Sequence, residues 1–462
     1  MKKNILYRLY AAAFIGICLV PSALMPIAES NFSKEKRELA EFPKATKDGK
    51  LNFSYFSEFE SWFSDHMAFR QQLVTADGRL KASLLGTSPN KNVIVGKDGW
   101  LYYSETVNDF LRLDTLSDRA VNNISRDLEL INDYCRANGS QFIFTVAPNK
   151  NSVYPDYMPF NYLPTRSRSN YDRLSEALEN DEFWCNMRSA LLSAESSIPL
   201  YHKTDTHWNN MGAYVGHVKL MEMLGHEVCP TGDSWTTRND RQGDLAAMIY
   251  PAEDPDDMPV YCAHQFSYNY LGKFQALDDI SIRTSCDTGT GDLLMFRDSY
   301  GEAIIPFMAE VFKQTEFSRM MPYRIEGSAG KTVIIEIVER NIPNLLKYTP
   351  VMKAPTVDIS ELSPEIYSGS GVQIVCKPAG GFTQICGELP EEFFSGSSNR
   401  IFVTAGGTAY EAFHSFEAEA LGRESGISDR GFSLYIPSAG EISPDDVTVT
   451  VLSADGRAVA NK

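Results

Sequence analysis

Tyr201-His202-Lys203-Thr204 runs directly into Asp205-Thr206-His207-Trp208-Asn209, and further along comes Phe296-Arg297-Asp298-Ser299-Tyr300-Gly301. Together these stretches hold one of each part that acyl transfer needs. A serine hydroxyl is a weak nucleophile until an imidazole takes its proton, and the imidazole must be held in one tautomer by a third group. Ser299 is the candidate nucleophile, His207 the candidate base and Asp205 the candidate orienter of that base. On an extended loop, Asp205 and His207 point to the same side, where one braces the other.

A metal reading competes, because His202, Asp205 and His207 fall within six residues. Zinc sites usually take ligands from helices or CxxC-type knuckles, and no further His or carboxylate cluster completes this one. No metal and no cofactor is expected.

The flanks give the acyl-transfer reading its context. Asp292 to Phe296 is a short apolar run suited to a buried strand, and Gly301 to Phe312 carries Ala303, Phe307 and Val311 at helical spacing. Ser299 is therefore expected on a strand-to-helix turn, where unpaired N–H groups favour an oxyanion. Pro306 implies a late helix start or a kink. A helix is expected over 210–224, just after the Asp-His loop. Gln141 to Ala147 reads as a buried strand closed by Pro148-Asn149-Lys150. Open α/β sheets gather their sites at the carboxyl ends of strands. Asn149 and Tyr300 are accordingly the candidate oxyanion and substrate-binding residues, although a turn-forming role for Asn149 explains it equally well.

Four motifs in order carry a family resemblance. The run Asn92 to Tyr103, the stretch Pro148-Asn149-Lys150 with Val153-Tyr154-Pro155, and Asp205-Thr206-His207-Trp208 resemble the alginate O-acetyltransferase AlgX/AlgJ family. Arg297-Asp298-Ser299-Tyr300-Gly301 with Pro306-Phe307 is closer to the related DHHW family. Both are SGNH-hydrolase-like, and the resemblance spans roughly residues 35 to 350. It implies Ser299, His207 and Asp205 as the triad. Ordinary SGNH esterases place the serine motif first and a D-x-x-H last. Here the order is reversed and the spacing is D-x-H, as in the alginate group. Arg297 replaces the usual Gly before Asp-Ser, and Thr206 stands where the DHHW motif has its first His.

Composition bounds the rest. A chain of 462 residues, 43% hydrophobic and 22% charged, is an ordinary folded protein with ample core. The net charge of −17 argues against nucleic acid as a partner, since binding it needs basic patches. The same charge favours a neutral or zwitterionic glycan over a polyanion. Lys2, Lys3 and Arg8 precede an apolar run reaching Ile27, with no clear small-x-small cleavage site. About seventeen apolar residues barely span a bilayer. An uncleaved N-terminal anchor over 1–30, with the bulk outside the cell, is expected; the alternative is a cleaved signal and secretion. The eight cysteines show no CxxC pair. Cys376 and Cys386 are spaced to bridge a hairpin, and the others suit small buried hydrophobes.

Strands alternating with helices over 31–352 imply a parallel sheet with helices on both faces, an α/β SGNH-hydrolase-like domain. Phe53, Phe56, Phe59 and Phe63, with Trp62, read as the core face of an amphipathic helix rather than a sugar platform. The segment 226–285 is expected to wall the cleft. From 356 to 462, short alternating runs separated by turn residues read as a C-terminal β-sandwich. That sandwich is either a carbohydrate-binding domain using Tyr410, Phe413 and Tyr435, or a packing domain.

The leading functional expectation is an extracytoplasmic O-acetyltransferase acting on a secreted or cell-wall polysaccharide through an acyl-serine. The resemblance implies a membrane-bound O-acyltransferase as acetyl donor. The alternatives are a carbohydrate acetylesterase with the same triad and a lapsed polysaccharide-binding protein.

Overall fold

The computed structural model describes residues 2–25, 39–47, 49–165, 168–232, 234–253, 257–437 and 442–461. Seven strands form the central sheet: β1 (Gln141–Ala147), β2 (Trp184–Cys185), β3 (Asn269–Tyr270), β4 (Ser281–Ser285), β5 (Asp292–Phe296), β6 (Gln314–Ser318) and β7 (Thr332–Val338). Their order is β2-β1-β7-β5-β6-β4-β3. The first five run parallel, while β4 and β3 close one edge antiparallel. The expected parallel sheet is thus a mixed one, because β4 returns beside β6 rather than crossing over.

Side-chain alternation along the strands sends Phe142, Phe144, Val333 and Ile335 into one core, with the Asp118–Ala137 and Asn170–Ala177 helices. Ile143, Met295, Ile334 and Val338 enter the other core, with the Asn210–Leu224 and Ile305–Val311 helices. Strands buried on both faces explain the continuous apolar runs in the sequence.

Eight strands build the C-terminal part: β8 (Glu365–Tyr367), β9 (Gln373–Ala379), β10 (Phe382–Glu388), β11 (Asn399–Ala405), β12 (Thr408–Ala412), β13 (Gly431–Pro437), β14 (Thr448–Ser453) and β15 (Ala458–Asn461). They make a five-stranded sheet, β8-β15-β14-β11-β12, and a three-stranded sheet, β9-β10-β13. Ile385, Ile401, Val403, Leu434, Val449 and Val451 pack between them. This is a β-sandwich appended to an α/β layer.

Three expectations fail here for physical reasons. Phe413 and Tyr435 are buried and Tyr410 is half-buried, so they offer no sugar platform. Phe413 instead enters the core beneath the Asp118–Ala137 helix. Cys376 and Cys386 are both free. The β9–β10 register pairs Cys376 with Ile385 and Val375 with Cys386, and that one-residue offset puts the two thiols on opposite faces. The aromatic stripe around Phe56 lies outside any core: Phe53 and Phe56 are 95% and 83% exposed.

The sandwich is bolted to the α/β layer through the Asp118–Ala137 helix. Asp127 accepts the His414 N–H at 2.9 Å and faces His414 Nδ1 at 2.9 Å, with His414 fully buried. Glu411 takes Arg126 and Arg400 together, and Asn123 donates to the Asp429 carbonyl. The connecting segment pairs with the sandwich as well, Lys353 with Tyr435 and Thr356 with Tyr410.

The Lys2–Leu24 helix includes a stretch, Ile5–Leu24, long and apolar enough to cross a membrane. Residues 1 and 26–30 of the expected anchor lie outside the described residues.

Candidate active site

Two loops meet beyond the carboxyl ends of the parallel strands. The first follows β5 and carries Ser299. Asp298 fixes it: one carboxylate oxygen accepts the Tyr300 N–H at 2.8 Å and the other the Val338 N–H at 2.6 Å, at the end of β7. Arg297, which replaces the usual glycine, is buried and donates to the Asp298 carbonyl of the turn at 3.1 Å. The other end of its guanidinium donates to the carbonyls of Leu277 and Asp279 at 2.6 and 3.1 Å, tying the turn to that segment. The close approach falls instead at Gly301, where a Cβ would stand 2.7 Å from the Arg297 Cβ.

The second loop, 202–207, is closed by the bridge between Tyr201 and Trp208 and leads into the Asn210–Leu224 helix. Asn209 caps that helix, accepting the N–H groups of Met211 and Gly212. The loop is a turn rather than an extended run. Asp205 folds back so that one oxygen accepts the His207 N–H at 2.9 Å and meets His207 Nδ1 at 2.7 Å. His207 Nε2 lies 2.9 Å from Ser299 Oγ. A proton on Nδ1 facing Asp205 leaves the Nε2 lone pair facing the serine hydroxyl, the tautomer a general base requires.

Electrostatics match that geometry. Asp205 is almost completely buried; burial alone would raise its pKa. The hydrogen bond and charge of His207, with Arg241, outweigh burial and hold the carboxylate well below its ordinary range. For His207, burial favours the neutral ring, but the Asp205 hydrogen bond and charge, with Asp244, raise the pKa above the usual histidine value. Asp205, His207 and Asp244 lie close enough to share an ion. Every oxygen of Asp205 is already taken, however, by His207, by Arg241 at 3.1 Å and by the Asp244 N–H at 3.2 Å. A cation would have to displace the arginine.

Asn149 and Tyr300 do not sit as expected. Asn149 is fully buried, with its side-chain amide donating to Asp109 at 2.8 Å and its backbone N–H to Glu339 at 2.8 Å. Tyr300 is buried too. Its hydroxyl donates to the Thr206 carbonyl and its own carbonyl accepts from Trp208 Nε1, both at 2.8 Å. Tyr300 therefore cross-braces the serine turn and the histidine loop, and its ring lies 4.9 Å from that of His207. Among the described residues the backbone N–H of Ser299 has no hydrogen-bond partner. The helix that was to supply an oxyanion dipole starts only at Ile305, after a short 3₁₀ turn, as Pro306 requires.

Sequence reading missed the clamp that holds the histidine loop. Lys150 is buried, and its ammonium donates to the carbonyls of His202, Lys203 and Asp205 at 3.2, 3.2 and 2.6 Å. Burial lowers its pKa to about 8 despite the nearby carboxylates. The rings of Trp100 and Tyr102 lie beside the ammonium, and Trp100 stacks on Tyr157 at 4.6 Å. Tyr102 donates to the Tyr154 carbonyl at 2.6 Å. Asp257 accepts the N–H groups of Lys203 and Thr204, and Asp244 accepts that of Thr206 at 2.7 Å. The segment expected to wall the cleft thus supplies Arg241, Asp244 and Asp257 as props of the loop. The conjunction of the Gly99-Trp100-Leu101-Tyr102 and Pro148-Asn149-Lys150 motifs with Asp205-Thr206-His207 was the available signal, since all three meet here.

Lys150→Met should lower turnover of an activated ester by about 10²-fold, because small misplacements of catalytic groups cost that much. The loss should fall in kcat rather than KM, with an unchanged circular dichroism spectrum. An equal loss in both, or unfolding, would assign Lys150 to structure alone. A second expectation concerns pH. His207 must be neutral to accept a proton, so activity should fall on acidification through its raised pKa. Asp244→Asn keeps an acceptor for Thr206 but removes a charge that favours the imidazolium. The acid limb of kcat/KM should then move to lower pH, whereas Arg241→Gln should move it higher. Coincident limbs in both variants would remove these groups from the electrostatics of the base.

Residues 93–265 match the model of the family described as SGNH hydrolase-like domain, acetyltransferase AlgX. A curated relative, the probable alginate O-acetylase AlgJ of Pseudomonas syringae pv. tomato, is 24% identical over 213 residues, covering 46% of this chain and 51% of the relative. The chain spans no more than about half the length of the curated relatives it matches. Among solved structures, it is similar to the O-acetyltransferase domain of Pseudomonas putida AlgJ, with 17% identity, TM-score 0.34, and 59% and 96% of the two chains covered. It is also similar to a DHHW family protein from Eubacterium siraeum, with 18% identity, TM-score 0.38, and 48% and 86% covered. Over residues 93–265 the chain is thus similar to the SGNH hydrolase-like domain described for the acetyltransferase AlgX, the group that its motifs resemble.

Proposed function

We propose that the protein is an extracytoplasmic O-acetyltransferase that moves acetyl groups onto a secreted or cell-wall polysaccharide through an acetyl-serine at Ser299. The observation that carries this reading is the hydrogen-bonded chain Ser299–His207–Asp205, at 2.9 and 2.7 Å, with Asp205 and His207 inside the stretch similar to the AlgX domain. In the first half-reaction His207 Nε2 takes the Ser299 proton, Oγ bonds to the acetyl carbonyl carbon, and the donor's leaving atom departs with the proton from His207. In the second, His207 takes the proton of a sugar hydroxyl, whose oxygen bonds to the same carbon. Ser299 leaves as the alkoxide and regains a proton from His207. The unpartnered N–H of Ser299 serves the oxyanion in both halves.

The acceptor is a neutral or zwitterionic glycan, given the net charge of −17. The acetyl donor is a membrane-embedded acyltransferase, and Ile5–Leu24 is the anchor that keeps the protein beside it. Residues 31–352 form the catalytic unit, and the sandwich over 356–462 stiffens it through the Asp118–Ala137 helix.

The test is a rapid acid quench after mixing with nitrophenyl acetate, followed by mass spectrometry of the Ser299 peptide. One added acetyl, chased onto a glycan acceptor, is expected. Ester turnover without acetyl on Ser299 would reject the mechanism, and release only as acetate at every acceptor concentration would make the protein an esterase.

A further inference from the structure

The aromatic stripe assigned to a core by its spacing is a surface. The Tyr55–His66 helix buries only Asp65, while Phe53, Phe56 and Leu51 stand 95%, 83% and 73% exposed. The rings form a continuous stack: Tyr55 on Phe59, Phe59 on Phe63, and Phe42 laid edge-on across Phe59 and Trp62 at 6.1 and 4.8 Å. Such contiguous apolar surface marks an interaction site. We propose that this face rests in the headgroup–acyl boundary of the same bilayer that holds Ile5–Leu24, as a second membrane contact. The inference rests on reading that N-terminal helix as an anchor.

Four observations favour lipid over other occupants. Phe rings carry no hydrogen-bonding atoms, whereas a sugar platform needs polar partners beside its ring. Here the two most exposed aromatic residues are phenylalanines. Tyr55 and Trp62 lie on the same helix as Phe56, and they are the residue types that settle at the membrane interface with an apolar body and a polar tip. The tether also restricts the choice. Residues 26–38 lie between the anchor and this face, and a fully extended stretch of that length reaches at most about 50 Å. Finally, six basic and six acidic side chains between residues 39 and 85 leave this end neutral on a chain of net charge −17. It is therefore the end least repelled by an anionic leaflet. Lys44 and Lys50, both exposed, border the rings on the preceding segment. An apolar face beside a lone anchor matches the way peripheral contacts add to a membrane attachment.

The full-length protein, reconstituted into phosphatidylcholine vesicles, provides the test, with Phe56→Trp as a conservative reporter. Flotation first asks whether the anchor inserts. The added tryptophan emission, taken as the difference from the wild-type protein, is then measured with lipids brominated along the acyl chain. The reporter protein should float, and its added emission should lose more than half its intensity. Phe53→Ser and Phe59→Ser in the same background should restore that intensity while thermal unfolding stays unchanged. A protein that floats with an unquenched reporter overturns the docking face but leaves the anchor standing. Shielding of that unquenched reporter by added glycan, or by a membrane protein partner, would reassign the face. A protein that does not float overturns the anchor reading and this inference together.

Discussion

Ser299→Ala should reduce release of acetate from nitrophenyl acetate by 10³-fold or more, with no acetyl trapped on the protein. The hydroxyl is the only side-chain group of this residue that the mechanism uses, and its bond in the resting structure is to His207 Nε2 at 2.9 Å; the backbone N–H assigned to the oxyanion is kept in the alanine variant. The turn itself is held by Asp298 and Tyr300, so the alanine protein should keep its fold and melting temperature. Because the groups act as a unit, Ser299→Ala combined with His207→Ala should be scarcely worse than either alone. Substantial turnover surviving in Ser299→Ala would assign the nucleophile elsewhere and remove the acetyl-serine.

Asp205→Asn should lower kcat by about 10⁴-fold while leaving the loop in place. Both Asp205 oxygens accept from donors: His207 Nδ1 and N–H on one side, Arg241 and the Asp244 N–H on the other. An asparagine oxygen can serve only one of these sides. If its amide nitrogen turns to His207, Nδ1 must become an acceptor and the ring proton moves to Nε2, where it faces Ser299. If the nitrogen turns instead to Arg241, two donors oppose each other. Either arrangement removes the charge that stabilises the imidazolium. The ring nitrogens can be followed by nitrogen-15 chemical shifts of His207. A protonated Nδ1 retained in the variant together with full activity would show that Asp205 does not select the tautomer.

The distance between those two loops in sequence did not hide them. Their chemistry is local: a serine after an apolar strand and an Asp-x-His before a capped helix both carry their own turn signals. Asn149 and Tyr300 were placed near the site for the same local reason, yet the Asn149 amide and backbone N–H face Asp109 and Glu339, and the Tyr300 hydroxyl and carbonyl face Thr206 and Trp208. Position at a strand end brings a residue to the site's edge but does not decide which way its donors face.

By itself, the sequence determined the strand and helix pattern of the central sheet, the change to a sandwich after residue 356, and the choice of Asp205, His207 and Ser299 as side chains to look for together. Each is written in hydrophobic period, turn residues or a short motif, all of which act over a few residues. Only the tertiary structure decided the rest. The Lys150 ammonium reaches the His202, Lys203 and Asp205 carbonyls because β1 ends beneath them, and Asp257 and Asp244 join from a segment with no comparable pattern. One residue of register parted Cys376 from Cys386. The spacing of Phe53, Phe56, Phe59 and Phe63 specified an apolar face but not what it meets, because periodicity fixes which side chains share a side and packing alone fixes what lies against it.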